Sequence, residues 1–313
     1  MPIFDQLIRR NCPVCDRDSR QAAPFLEKNI NSNDVNEFTF SSRKAPEFMC
    51  LNLVKCRNCK TVYASETPVE AALSTAYADA DYDSSAEATL AAASYMAALR
   101  PHLPAGGDRR RRALEIGTGT GVFLERLLDE GFAEVVGVEP SGAAIRAASP
   151  RAAPHIRPGI FNAGDFETGG FDLICCFQTL EHVPDPKRLT RDCKDLLAPG
   201  GVLAFVTHNY DAAVNRLLGK RSPIIDVEHL QLFCPESMSV MLTSCGLDVK
   251  SIGTISNRYF IEYWLKISPL GDSVKTMASD LLRRTGLSSA TLSINVGNFL
   301  SVAENRQIDA PGP

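Results

Sequence analysis

The sequence predicts an α/β chain. A parallel sheet carries helices on both faces, and a small cysteine-bearing module precedes it. Three observations predict this. From residue 111 onward, short apolar runs alternate with amphipathic ones at the spacing of strand–helix–strand units. One apolar run, ALEIG, opens directly into glycines at 117, 119 and 121 and then into a helical pattern. Two Cys-x-x-Cys pairs, Cys12/Cys15 and Cys56/Cys59, stand in a first stretch with little periodicity.

The 313 residues suffice for one large domain and a small one. The chain is 44% hydrophobic and 22% charged, an ordinary globular composition. Its formal net charge of −4 argues against a surface built to grip nucleic acid, which needs clustered Lys and Arg. No apolar run reaches the ~18 residues of a membrane span. The first residues, MPIFDQLIRRN, lack an apolar signal core. A cytoplasmic protein is expected, and its ten cysteines are then read as thiols. Cys175, Cys176, Cys193 and Cys245 read as small buried hydrophobes. Cys50 lies close enough to Cys56 in sequence to be a fifth thiol near a metal.

The elements follow in order. Residues 1–75 form the cysteine module, and residues 76–104 a connection whose Ala-rich part is helical from about Ser85 to Arg100. Ser84 or Ser85 caps that helix and Pro101 ends it. The arginine run at 109–112 reads as a solvated loop before a strand. ALEIG is a buried strand, GVFLERLLDEG an amphipathic helix closed by Gly131, AEVVGVEP a second strand, and SGAAIRAAS a helix capped by Ser141. A weak strand surrounds Ile156–Ile160. FDLICCF is a continuous apolar strand, DPKRLTRDCKDLL a helix stopped by Pro199 and two glycines, and VLAFVTH another strand. After Pro235 come a helix and the strand pattern LDVKSIGTIS. The core therefore spans 105–256, with an insertion at about 208–235 covering the substrate. Residues 257–313 are a C-terminal extension with the aromatic-rich YFIEYWLKI and a helical piece around 274–284. Core, a homodimer face or a membrane-surface stripe are the alternatives for YFIEYWLKI.

The alternating glycines let the backbone turn sharply and approach a ligand at a helix start. Glu139 ends the next strand, where a carboxylate can accept both hydroxyls of a ribose. This suits a nicotinamide dinucleotide or an adenosyl cofactor. Dinucleotide turns favour G-x-G-x-x-G, which seats a pyrophosphate. Here the pattern is G-x-G-x-G, preceded by the acid Glu115, which better suits the zwitterionic amino-acid end of S-adenosylmethionine.

The series LEIGTGTG, VVGVEPS, FDLICCFQTLEHVPDP and LLAPGGVLAFVTHN resembles the motif series of class I S-adenosylmethionine-dependent methyltransferases, over about residues 113–246. The resemblance implies their Rossmann-like sheet and cofactor. It implies that Glu115, Gly117, Thr118, Gly119 and Gly121 hold the methionyl part and that Glu139 holds the ribose. Pro140 and Ser141 would lie beside the adenine, Ile160 and Phe161 at its edge, and Gln178, Thr179 and Leu180 along the cofactor. Tyr77 and Tyr82, just before the core, could reach over it.

Methyl transfer needs an in-line nucleophile, and a base only if that nucleophile must lose a proton. Two Glu-His pairs stand out among five histidines. Glu181-His182 follows a strand's C-terminal end, where open α/β sheets bind ligands. Glu228-His229 lies in the insertion. His229 is the expected base, with Glu228 beside it and His182 as the alternative. His208 and Asn209 end a strand at the same sheet edge.

Cys12, Cys15, Cys56 and Cys59 have the spacing of a four-thiolate zinc site, closed and therefore structural; a rubredoxin-like iron has the same ligand count. A zinc module in front of such a core, followed by a later Glu-His pair, is similar to methyltransferases acting on nucleotide-linked deoxysugars and related small molecules. In the sugar C-methyltransferases of that group the later pair lies at the active site and matches Glu228-His229. A tyrosine two residues before their Glu is Asp226 here, and their further C-terminal domain has no counterpart in this chain. The sequence thus predicts S-adenosylmethionine-dependent methylation of a sugar, glycan precursor or natural-product intermediate, with a structural zinc ion. The partner is a small-molecule methyl acceptor, with nucleic acid and a membrane span not expected and a homodimer left open. RNA modification, with the zinc ribbon as RNA grip, is the alternative.

Overall fold

The computed structural model describes residues 2–4, 6–31, 33–36, 39–41, 47–80, 85–104, 111–268 and 270–306. The first part holds short strands β1 (Leu7–Arg9), β2 (Ala23–Leu26), β3 (Leu53–Lys55), β4 (Val62–Ala64) and β5 (Glu66–Pro68). Helix α1 (Glu70–Asp79) follows directly, then α2 (Ser85–Leu99). The connection is therefore two helices, the first beginning inside the expected cysteine module. The Ser84 cap lies outside the described residues.

The alternating part runs β6 (Arg112–Ile116), α3 (Val122–Asp129), β7 (Glu134–Glu139), α4 (Gly142–Arg146), β8 (Ile156–Pro158), β9 (Phe171–Phe177), α5 (Pro186–Leu196) and β10 (Leu197–His208). Then come α6 (Ala213–Leu218), β11 (Gln231–Leu232), α7 (Pro235–Ser244), β12 (Leu247–Thr254), β13 (Asn257–Phe260), α8 (Ile261–Ile267), α9 (Asp272–Arg284), β14 (Thr291–Ile294) and β15 (Asn298–Asn305).

A seven-stranded sheet has the order β12-β15-β10-β9-β6-β7-β8. From β10 to β8 all pairs are parallel, while β15 runs antiparallel to both β10 and β12. Two of the expectations change here. The sheet is mixed, and residues 257–313 are not only an extension, because β15 fills an interior position between β12 and β10. Its partners in β10 lie some ninety residues away, Val202 facing Glu304 and His208 facing Asn298. Local pattern cannot reveal so distant a pairing.

Both faces of the sheet are covered, as a strand buried on two sides requires. In β9, Leu173, Cys175 and Phe177 pack with α2 and α3, and Ile174 and Cys176 with α5 and α7. Adjacent Cys175 and Cys176 thus serve opposite layers, and both are fully buried.

The cysteine module is docked on the sheet's C-terminal edge. Strand β11 of the insertion joins β4 in a four-stranded sheet with β3 and β2. Arg10 reaches across, donating to the carbonyls of Ala64 (2.9 Å) and Pro184 (3.0 Å), to Gln231 Oε1 (3.0 Å), and to the Leu230 carbonyl. Lys187 at the start of α5 pairs with Asp16 of the first cysteine knuckle. Arg112 of the arginine run pairs with Glu134 (3.0 Å), a structural role, and Arg109 and Arg110 lie outside the described residues.

Candidate active site

The glycine turn joins β6 to α3. Gly117 and Thr118 donate to the Val138 carbonyl at 2.9 and 3.1 Å, which fastens the turn to β7. Gly117, Gly119 and Gly121 have φ of 75°, 57° and 72°, a region that favours glycine. Their surroundings differ. A Cβ on Gly117 would lie 2.2 Å from Thr179 Oγ1, whereas one on Gly119 would meet open space. Gly121 does not face the cavity as expected. It shapes the entry to α3, and a Cβ there would meet Ala152 at 2.9 Å.

Glu139, buried at the end of β7, accepts from Gly119 N–H and Ser141 N–H, each at 2.8 Å. Burial raises its pKa, and the two N–H donors oppose that shift. Glu115 accepts from Thr118 Oγ1. Pro140, Ser141, Ile160, Phe161, Gln178 and Thr179 line the same cavity as the turn, of about 560 Å³. Leu180 does not. It is fully buried among apolar core residues and presents its carbonyl to Gln231 Nε2 at 2.7 Å. Tyr82 lies outside the described residues.

The cavity continues from the turn to a cluster of histidines. The ring of His229 is 4.9 Å from that of His182 and 5.3 Å from that of His208. Glu228 Oε2 is 3.6 Å from His182 Nδ1, so each expected Glu-His pair is rearranged: Glu228 faces His182. Glu181 instead turns inward and accepts from His208 N–H at 2.8 Å. Burial raises its pKa to about 7. His229 Nδ1 lies 2.8 Å from the Ile224 carbonyl, which can only accept, so that nitrogen carries a proton. His208 Nδ1 lies 2.7 Å from Asn298 Oδ1, and burial lowers its pKa, favouring neutral imidazole.

Two further groups complete the cavity. Tyr77 of α1 stands edge-on to His182, with ring centroids 5.8 Å apart. Its hydroxyl is enclosed without a hydrogen-bond partner among the described residues, and burial together with the charges of Glu228 and Asp226 raises its pKa. Tyr259, Tyr263 and Trp264 form an aromatic wall. The sequence showed these three as an aromatic stretch but gave no signal that they face the site, because β13 and α8 are brought there by β14 and β15.

The four sulfur atoms of Cys12, Cys15, Cys56 and Cys59 all lie within 4.8 Å of one another. Cys12 and Cys59 Sγ are 3.4 Å apart, Cys15 and Cys56 Sγ 3.5 Å. The two knuckles share a design. Asp16 and Lys60, each just after the second cysteine, have φ of 60° and 65° and donate to the first cysteine's carbonyl at 2.9 and 3.1 Å. Four thiols converging from two matched turns fit a tetrahedral zinc ion. Cys50 is not part of the group. Its sulfur lies 3.6 Å from the Glu27 carbonyl in a separate apolar cluster.

A family model for a methyltransferase domain matches residues 88–252, more than half of the chain. The chain is 31% identical over 132 residues to a ubiquinone biosynthesis O-methyltransferase of Idiomarina loihiensis, covering 40% of this chain and 52% of that one. It is 28% identical over 158 residues to the enzyme of the same name from Neisseria meningitidis, covering 45% and 65%. The chain thus spans about half to two thirds of the length of these relatives. Among solved structures, an S-adenosylmethionine-dependent methyltransferase from Archaeoglobus fulgidus aligns with a TM-score of 0.44 at 21% identity, covering 66% of this chain and 91% of that one.

Proposed function

The chain belongs to the methyltransferase-domain family, and we propose that it transfers the methyl group of S-adenosylmethionine to a small molecule. One observation carries this reading. A single cavity joins the glycine turn and Glu139 at one end to the cluster of His182, His208, His229 and Glu228 at the other. A donor and an acceptor can therefore meet inside one enclosure.

The residues present fit the cofactor. Gly119 leaves open space where a side chain would intrude, and Glu139 suits a ribose. Glu115 suits the ammonium of the methionyl end. When bound, the cofactor supplies an electrophilic methyl on a sulfonium. The chain's residues hold the acceptor nucleophile in line with it and exclude water. His229 Nε2 takes the proton that the acceptor loses, with His182 as the alternative.

The lining also bears on the acceptor. Among the described lining residues Arg188 is the single Lys or Arg, against seven Asp and Glu. A nucleotide diphosphate would meet repulsion there. This favours a neutral natural-product or glycan precursor over a nucleotide-linked sugar. The relatives named for ubiquinone biosynthesis support an oxygen acceptor. The four-cysteine module is read as a zinc staple that holds β4 and β11 beside the cavity.

Calorimetry of the purified protein with S-adenosylmethionine and with its demethylated product tests the reading. Saturable binding of both is expected. No binding of either overturns it.

A further inference from the structure

We propose that His182, Glu228 and His229 form a second metal site, for a first-row divalent cation that holds an oxygen of the methyl acceptor. The proposal rests on reading this end of the cavity as the acceptor's place. Three observations carry it.

The donor atoms are near one another. One nitrogen of each histidine and a Glu228 carboxylate oxygen all lie within 4.8 Å of one another. Ligands at ~2.0–2.2 Å from a common ion stand ~3–4 Å apart, so small adjustments complete the site. Two imidazoles and a carboxylate suit first-row divalent ions and leave further positions for ligands from the cavity.

The outer partners are those of ligating histidines. A metal-bound imidazole donates its other N–H to a carbonyl or carboxylate. His229 Nδ1 is 2.8 Å from the Ile224 carbonyl, and His182 Nε2 is 3.1 Å from the Gln178 carbonyl. Gln178 holds φ of 48°, an uncommon conformation for a residue other than glycine, while its carbonyl meets the His182 ring. Both rings are thus held in place through one nitrogen each.

The space between the donors is lined for a cation. His182 Nδ1 lies 3.3 Å from the Glu228 carbonyl and 3.6 Å from its carboxylate, so this nitrogen and these oxygens surround one small space. The enclosed Tyr77 hydroxyl, under the influence of Glu228 and Asp226, borders the same space. In the ion-loaded protein His229 is a ligand and no longer the base.

The test is a titration of the purified protein, its four-cysteine site filled with zinc, with Co²⁺. Saturable ligand-field absorption without the strong thiolate charge-transfer band is expected. It should vanish in His229→Ala and require at least ~10-fold more Co²⁺ in Glu228→Gln. No saturable signal in wild type overturns the proposal, as does a signal unchanged in both variants. Calorimetry with the demethylated cofactor on the same samples separates the outcomes. Cofactor binding without Co²⁺ binding sinks the metal site alone, and wild type that binds no cofactor sinks the methyltransferase reading. Cofactor binding by the variants shows that they are folded.

Discussion

The Glu228 carboxylate stands 3.6 Å from the ring of His182, forty-six residues away, although its neighbour in the chain is His229. The pair is one of the contacts that join the insertion to the loop after β9. Glu228→Gln keeps the shape and removes the charge. A loss of about 10–100-fold in kcat/KM is expected, with affinity for the demethylated cofactor within about twofold of wild type. Full activity would dismiss the pair from the reaction.

Glu181 makes stability depend on pH. Its carboxyl is fully buried, Oε2 has no hydrogen-bond partner among the described residues, and burial raises its pKa from 4.5 to about 7. A raised carboxyl pKa means that the folded state holds the proton more tightly than the unfolded one. Its favourable contribution is complete below about pH 4.5 and is lost as pH rises to about 7, on the order of 3 kcal/mol. Denaturant unfolding across this range should show that decline in wild type, and Glu181→Gln should flatten it. An equal decline in the variant would refute the assignment.

The glycine turn separates two kinds of constraint. Gly119→Ala adds a methyl in the left-handed region but into open space. It should cost about 1 kcal/mol of stability while weakening the cofactor at least ~10-fold, because the methyl occupies the cradle. Gly117→Ala sets a methyl 2.2 Å from Thr179 Oγ1 and should cost about 3 kcal/mol. Thermal unfolding and cofactor calorimetry check both. The reverse order would contradict the cavity's position.

Removing zinc should loosen the cavity wall before the sheet. The knuckles hold β3 and β4, and β4 pairs with β11 of the insertion. Cys56→Ser should lower Tm by about 10 °C or more and weaken acceptor binding, while cofactor binding persists. Metal analysis of wild type should find zinc. An unchanged Tm with no bound metal would remove the staple.

Tyr77 should matter to the acceptor more than to the cofactor. Tyr77→Phe keeps the edge-on ring against His182 and removes the enclosed hydroxyl. A rise in acceptor KM or a fall in kcat of about tenfold is expected, with cofactor affinity unchanged. Unaltered kinetics would leave the hydroxyl without a role.

Much of this protein is written locally. The continuous apolar run of β9, the glycines at positive φ, Glu139 at a strand end and the paired cysteine knuckles each follow from short-range rules. Strands buried on two faces must be apolar throughout, and sharp turns need glycine. The sequence by itself therefore determined the alternating sheet, the turn, Glu139 and the four convergent thiols. It also marked His182 and His229 as candidates. Tertiary structure alone decided which groups meet. β15 enters beside β10 from ninety residues away, bringing Asn298 to His208 and Tyr259 and Trp264 to the cavity. Glu181 turns inward and Leu180 joins the core, while Glu228 crosses to His182. Those choices depend on pairings between distant segments, whose gain in buried area and hydrogen bonds no local periodicity encodes.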